Sequence, residues 1–139
     1  MTDPEHERPP ADRPDEAAAR RARGLAVYRQ VYGDDAFAFE PGQSDFFDLM
    51  LSQLFGEVWS RPGLGMAERR LLVLGVLAAQ HRFDTLGVQF ARALETGELT
   101  AQQVREVVIQ LIAYVGYPSS SELYRVSESA IGASRKGSA

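Results

Sequence analysis

His81 is the residue in the central part of the chain whose charge can change near neutral pH. The only other histidine, His6, lies in a proline-rich N-terminal segment. A lyase or isomerase that works without a cofactor needs a group that moves a proton, so His81 is the candidate catalytic residue. A structural alternative stays open, because a histidine at the end of a helix is favoured as a cation by the helix dipole.

Trp59 and Arg61 stand together in the stretch GEVWSRPGL, residues 56–64. Pro62 and Gly63 must end any preceding helix at this point. Trp59 could form the wall of a pocket, and the guanidinium fork of Arg61 suits a bidentate contact with a carboxylate. The alternative is a packed corner in which Trp59 is an anchor and Arg61 reaches solvent or caps carbonyl groups.

Arg70 lies at the start of a strongly apolar segment, and Tyr114 lies in the run YVGYP, residues 114–118. An unpaired buried arginine is very unfavourable, so Arg70 must reach solvent, a carboxylate partner or an anionic ligand. Its position near the start of a helix predicts exposure. Tyr114 is either a pocket residue or a packed tyrosine with one hydroxyl partner.

The composition excludes several classes of protein. The 139 residues suit one domain, and the net charge of -4 gives no basic surface for nucleic acid. The absence of cysteine excludes disulfides, thiolate metal ligands and thiol peroxidase chemistry, and two histidines exclude a His-rich metal site. No apolar run is long enough to span a bilayer, and no signal peptide is visible, so a cytoplasmic protein without metal or membrane partner is expected.

Helical periodicity and caps predict an all-α fold. Residues 1–14 and 133–139 are predicted to be disordered tails around a domain at 15–132. Ser119 with Glu122, Thr100 with Gln103, and Asp84 are predicted to cap helices. The predicted helices cover 15–32, 44–59, 66–80, 84–96, the segment from Thr100 through Val115, and the segment from Ser119 through Ile131.

Two of these helices are very apolar. Residues 71–79 are apolar almost all round, which predicts a helix buried on most sides, and residues 104–115 carry a second large apolar face. Six helices around one small core cannot easily cover both surfaces. The surplus predicts contact between subunits, and therefore a homo-oligomer.

The order of three stretches resembles the carboxymuconolactone decarboxylase family. They are FFDLMLSQLFGEVWSRPGL, ERRLLVLGVLAA and RALETGELTAQQVREVVIQLIAYVGYPSSSELYRV. The resemblance implies a compact six-helix subunit of the alkylhydroperoxidase D-like fold in a ring-like homo-oligomer, usually a trimer of dimers. It also implies decarboxylation of a lactone dicarboxylate from aromatic-acid breakdown, without a metal or organic cofactor.

The sequence departs from the family pattern at the positions that carry its chemistry. Arg70 replaces the second glutamate of the family's ERELL run, Thr85 replaces a glutamate, and Gln89 replaces the histidine. In a redox branch of the fold, two cysteines would stand at Arg82 and Thr85, so peroxidase activity is excluded. Neither Thr85 nor Gln89 can shuttle a proton near neutral pH, whereas His81 stands where the family often has glycine.

These departures leave three hypotheses. The first is a cofactor-free lyase or isomerase with altered chemistry, acting on an anionic cyclic or aromatic-derived acid, with Arg61 or Arg70 holding the carboxylate. The second is a non-catalytic binding or accessory protein that keeps the fold and the oligomer. The third is unaltered γ-carboxymuconolactone decarboxylase. The predicted substrate-binding residues are Trp59, Arg61, Arg70, Thr85, Gln89 and Tyr114.

Overall fold

The computed structural model describes residues 13–138, and the part of the chain that it describes consists of helices and short connections. The all-α prediction is confirmed, and each predicted helix lies within a few residues of an observed one. The elements are α1 (Pro14–Tyr32), α2 (Asp45–Leu49), a π-helix (Met50–Val58), α3 (Met66–Ala79), α4 (Phe83–Glu95), α5 (Ala101–Val115), a 3₁₀ turn (Tyr117–Ser119) and α6 (Ser120–Gly137).

The ends of the helices correct three predictions. The segment predicted to be a C-terminal tail is helical through Gly137. Asp84 lies in the first turn of α4 and does not cap it, because the helix begins at Phe83. Ser119 stands at the N-cap position of α6 but accepts no capping hydrogen bond. The predicted N-terminal tail lies, except for its last two residues, outside the described residues.

The capping box that begins α5 is confirmed. Thr100 Oγ1 accepts a hydrogen bond from the backbone N–H of Gln103 at 3.1 Å. The backbone N–H of Thr100 donates in return to Gln103 Oε1 at 2.9 Å. This reciprocal pairing satisfies two of the backbone groups that a helix end leaves without partners.

Helix α1 packs on the π-helix through a backbone contact. A Cβ atom at Gly24 would stand 1.7 Å from the carbonyl oxygen of Leu51, so only glycine permits this approach. At the C-terminal end of α1, carbonyl groups accept hydrogen bonds from arginines of α3 and α4. Arg92 donates to Gln30 O at 3.1 Å, and Arg70 donates to Val31 O at 3.0 Å. These contacts hold α1 against the middle of the fold.

The buried apolar residues form two clusters. The larger one is shared by α3, α4, α5 and α6, with Phe90 and Leu74 fully buried in it. The smaller one joins α1 to α2 and the π-helix around Val31, Leu51 and Phe55. The site described below lies at the corner between α3 and α4, on the side of the larger cluster.

The outer faces of α3 and α5 expose apolar side chains. Leu72 is 62% exposed and Val76 is 54% exposed on α3, and Ile109 is 63% exposed on α5. The prediction that α3 is buried on most sides is therefore wrong for the single chain. No helix among residues 13–138 is long and apolar enough to cross a membrane.

Candidate active site at the corner between α3 and α4

His81 occupies a backbone conformation that favours glycine. Its φ angle is 56°, and it is the only residue other than glycine with a positive φ among residues 13–138. It follows the end of α3, where its N–H donates to Ala78 O at 3.1 Å and the N–H of Arg82 donates to Leu77 O at 2.8 Å. For an L-residue the left-handed region is unfavourable by roughly 1–2 kcal/mol. The predicted break between the helices at 66–80 and 84–96 is confirmed, and it lies at residues 80–82.

The imidazole of His81 contacts the start of α6. Its Nδ1 atom lies 3.2 Å from Ser119 Oγ, within hydrogen-bond distance. Ser119 is 5% exposed, and its hydroxyl is directed to the imidazole and not to the N–H groups of its own helix. The ring of Phe83 lies beside the imidazole, with 5.8 Å between the ring centroids. Two locally unfavourable features, a left-handed residue and an uncapped helix, thus converge on one imidazole.

His81 lies in an open depression of about 350 Å³ that also contains both signs of charge. Arg125 donates to Glu122 Oε2 at 2.7 Å, and this bond, with a smaller contribution from Asp84, raises the pKa of Arg125. The side chain of Arg82 makes no hydrogen bond or ion pair within residues 13–138. The residues that line the depression are His81, Arg82, Phe83, Asp84, Thr85, Glu122 and Arg125. We call it the His81 depression.

Arg70 lies in the interior, and the predicted exposure is wrong. Its side chain is 0% exposed. Its Nε pairs with Glu98, and its Nη2 donates to the other carboxylate oxygen at 3.2 Å. Its Nη1 donates to Val31 O at 3.0 Å and to Gln89 Oε1. This cluster, which we call the Arg70 network, supplies the carboxylate partner that sequence reasoning named as one alternative.

Gln89 completes the Arg70 network but is not fully satisfied. It is buried, and its Nε2 atom has no hydrogen-bond partner in the described part of the chain. Thr85 precedes it by one turn of α4 and lines the His81 depression. The structure therefore brings Thr85 to His81 and places Gln89 with Arg70. A substrate carboxylate could reach Arg70 only if Glu98 moved away.

The other predicted site residues lie elsewhere. Trp59 is half-buried in the smaller apolar cluster and stacks on Phe55, with 6.1 Å between the ring centroids. Arg61 is exposed, and its carbonyl oxygen accepts a hydrogen bond from Arg69 at 2.8 Å. Tyr114 is 83% exposed on α5. Their roles in substrate binding stay predictions, and none of the three lines the His81 depression.

A larger groove of about 670 Å³ lies between α5 and α6. Its walls include Ile109, Ile112 and Tyr124, together with the ion pair between Arg105 and Glu128. The hydrogen bond from Arg105 holds the pKa of Glu128 below its ordinary value. This carboxylate is thus unsuited to donate a proton near neutral pH, and the groove contains no histidine. We therefore place the candidate chemistry in the His81 depression, although it is smaller.

Sequence reasoning missed the surroundings of His81. Arg82, Asp84, Glu122 and Arg125 share its depression, and Ser119 contacts its ring. The sequence carried one signal for this assembly: Ser119 and Glu122 begin α6. Nothing in the sequence indicated that the start of α6 packs against the end of α3. Glu98 was missed as the partner of Arg70 because it lies in a turn 28 residues away.

Comparison with known proteins assigns the chain to a family. The family model for the carboxymuconolactone decarboxylase family matches residues 44–129. A nitrosuccinic acid decarboxylase of Metarhizium robertsii is 35% identical over 117 residues, covering 78% of each chain. A 4-carboxymuconolactone decarboxylase of Acinetobacter baylyi is 32% identical over 114 residues, covering 78% of this chain and 84% of the relative. No solved structure matches the chain significantly. The chain belongs to the carboxymuconolactone decarboxylase family.

Proposed function

We propose that this protein is a cofactor-independent decarboxylase of a small anionic acid, with His81 as its proton donor. The observation that carries the proposal is the placement of His81. A histidine stands in a backbone conformation suited to glycine, and it shares its depression with Arg82, whose side chain has no hydrogen-bond or ion-pair partner within residues 13–138. Strained residues that are held by their surroundings are concentrated at functional sites.

The names of the two relatives indicate two features that their substrates share. Nitrosuccinic acid and 4-carboxymuconolactone both carry more than one carboxyl group. Both also carry an electron-withdrawing group through which a carbanion can be delocalised, a nitro group in one and an unsaturated lactone in the other. A substrate for this chain would therefore lose one carboxylate and keep another. The retained carboxylate is the group that an arginine would bind.

The reaction divides into two steps that need little from the protein. The C–C bond to the leaving carboxylate breaks, CO2 departs, and the electron pair stays on the substrate as a nitronate or an enolate. The protonated imidazole of His81 then donates a proton to a carbon over which that electron pair is delocalised, forming a C–H bond. The imidazole regains its proton from solvent. Arg82 stabilises the retained carboxylate, and no electron acceptor is required.

Nitrosuccinate is the first substrate to test, with 4-carboxymuconolactone beside it. We expect release of CO2 and, in D2O, one deuterium in the product, which for nitrosuccinate lies at the carbon that carried the lost carboxylate, measured by NMR. His81→Asn should lower kcat by about 10²–10⁴-fold and leave KM nearly unchanged. Unchanged turnover in this variant would remove His81 from the mechanism.

Arg82 and Arg61 form a matched pair that tests whether Arg82 binds the retained carboxylate. Both are exposed arginines that follow the end of a helix, but only Arg82 lines the His81 depression. Arg82→Ala should raise KM by about tenfold or more, the effect of losing one charged hydrogen bond, whereas Arg61→Ala should not. The reverse result would support the clamp predicted from the sequence and contradict the one proposed from the depression.

A non-catalytic binding protein is the second candidate, and the Arg70 network favours it. Arg70 and Gln89 stand where the family pattern has proton-transferring residues. They are hydrogen-bonded to each other, and Arg70 is also bonded to Glu98. On this alternative, isothermal titration would show that the acid binds, while NMR would show neither loss of CO2 nor incorporation of deuterium. Turnover that depends on His81 would exclude it.

The exposed faces of α3 and α5 support a homo-oligomer as a further part of the proposal. Sedimentation velocity at micromolar concentration should show a species well above the 15.3 kDa of one chain. Leu72→Glu, on the exposed face of α3, should shift the species towards the monomer. Gln110→Glu is the control, because it adds the same charge at an exposed polar residue of α5. A monomeric parent protein would contradict the assembly.

A further inference from the structure

We infer that Ser119 is a positioning residue that holds the hydrogen of neutral His81 on Nε2, facing the His81 depression. This inference rests on the proposed role of His81. The contact that carries it joins Ser119 Oγ to His81 Nδ1 at 3.2 Å, from the start of one helix to the end of another. The two residues are 38 positions apart in the sequence, so the fold alone brings them together.

The direction of this hydrogen bond follows from what else the hydroxyl could do. Ser119 Oγ accepts no bond from the N–H groups of α6, and its only partner in the described part of the chain is Nδ1. A hydroxyl has one hydrogen to donate, and Nδ1 is the acceptor within reach. If Nδ1 accepts, the neutral ring carries its hydrogen on Nε2.

This arrangement suits a proton donor. In the neutral ring Nε2–H can bind a developing oxyanion, and in the cation it can protonate the carbanion. The other tautomer would turn a lone pair towards the substrate. The charged side chains that share the depression are Arg82 just before α4, Asp84 on α4, and the Glu122–Arg125 pair on α6. Within residues 13–138, none of them forms a hydrogen bond with Nδ1, whose partner is Ser119 Oγ.

The local structure supports a role beyond capping. A serine at an N-cap normally stabilises its helix by about 1 kcal/mol through a bond to a backbone N–H. Ser119 gives up that bond, whereas Ser44 and Thr100 at the other caps keep theirs, at 3.2 Å and 3.1 Å. Ser119→Ala therefore removes no capping bond, whereas Thr100→Ala does and should lower the free energy of unfolding by about 1 kcal/mol.

The test measures the tautomer directly. In ¹⁵N NMR spectra of the full chain, taken at a pH where His81 is neutral, the parent protein should show the hydrogen on Nε2. Ser119→Ala should give a mixture of tautomers, and Ser119→Thr, which keeps the hydroxyl, should restore the parent spectrum. A parent spectrum with the hydrogen on Nδ1, or one that Ser119→Ala leaves unchanged, would overturn the inference.

Turnover supplies the second readout and separates this inference from the proposed function. With an active substrate, Ser119→Ala should lower kcat by about 10- to 100-fold with little change in KM, the loss typical when a partner that orients a functional histidine is removed. Ser119→Thr should recover most of it. A changed tautomer with unchanged kcat would overturn the catalytic role of Ser119. Absence of turnover in the parent would instead contradict the proposed function, and the NMR result would stand by itself.

Discussion

The Arg70 network and the His81 depression each include a residue of α4. Their charged groups differ, because those of the network bond inside the fold and those of the depression are exposed. Thr85 belongs to one and Gln89 to the other, four residues or about 6 Å apart along α4. In the network, the guanidinium meets a carboxylate, an amide and a carbonyl within the fold. In the depression, Arg82 and His81 remain open to solvent.

This difference shows what makes a polar group available for chemistry. A buried charge is tolerated only when its hydrogen bonds are made inside the protein, so the same bonds that stabilise Arg70 also occupy it. An exposed charge without a protein partner costs little free energy, because water solvates it. Two of the substituted family positions, Arg70 and Gln89, thus bond to each other inside the fold, whereas His81 and Arg82 at the neighbouring corner are exposed. Of the four predictions that follow, those on Arg70 and His81 test that contrast, and those on Gly24 and Asp48 test the contacts of α1.

Removal of Arg70 should have the largest effect on stability. Arg70→Ala leaves Glu98 without its ion pair in a largely buried site, so the free energy of unfolding should fall by about 3–5 kcal/mol. Denaturant unfolding measures the change. Arg105→Ala is the control, because its pair with Glu128 is partly exposed and should matter much less. Arg70→Met with Glu98→Gln should recover part of the loss, and no recovery would mean that the unpaired charge is not its cause.

Gly24→Ala should have the next largest effect. The added Cβ would lie 1.7 Å from Leu51 O, so α1 must move away from the π-helix. We expect a loss of about 1–3 kcal/mol, since the clash involves backbone that cannot rotate away. Gly132→Ala is the matched control in α6, where nothing lies within 4 Å, and should stabilise the protein by roughly 0.5–1 kcal/mol. Equal melting temperatures for the two variants would contradict the close packing of α1.

His81→Gly should act in the opposite direction on stability. Glycine adopts a φ of 56° without strain, so the free energy of unfolding should stay the same or rise by about 1 kcal/mol. Activity on a substrate found as above should be lost in the same variant. Stability and activity are compared by measuring thermal unfolding and turnover on the same preparation of each protein. A destabilised His81→Gly would show that the imidazole is a structural residue, the alternative left open by the sequence.

The pH dependence of Asp48 should give the smallest effect. The hydrogen bond from Arg21, followed by one from the N–H of Gly42, lowers the pKa of Asp48 below the ordinary value of an aspartate. A carboxylate with a lowered folded pKa stabilises the protein above its unfolded pKa, and this contribution is lost as pH falls through the folded value. Asp48→Asn should therefore lower the melting temperature at pH 6, and the difference from the parent should shrink below about pH 4. A difference that is independent of pH would contradict the ion pair.

The sequence predicted the helices well because their signals are local. Thr100 and Gln103 begin a helix through bonds that span three residues, and Gly33 ends one through its own backbone freedom. The departures at Arg70, Thr85 and Gln89 were also readable from the resemblance. Their consequence was not, because the outcome depended on Glu98, whose place beside Arg70 is decided by packing. The cap predicted at Ser119 failed for the same reason, since a ring from a distant helix competes for the hydroxyl.

The sequence by itself determined an all-helical chain without cysteine, with His81 as the single histidine outside the N-terminal segment. Periodicity and capping act over one helical turn, and a residue's own chemistry needs no context. Tertiary structure alone decided that Arg70 is internal while Arg82 is open, and that Ser119 meets His81. Whether a charged group has a partner depends on which helices lie side by side, and that is a property of the packed molecule as a whole.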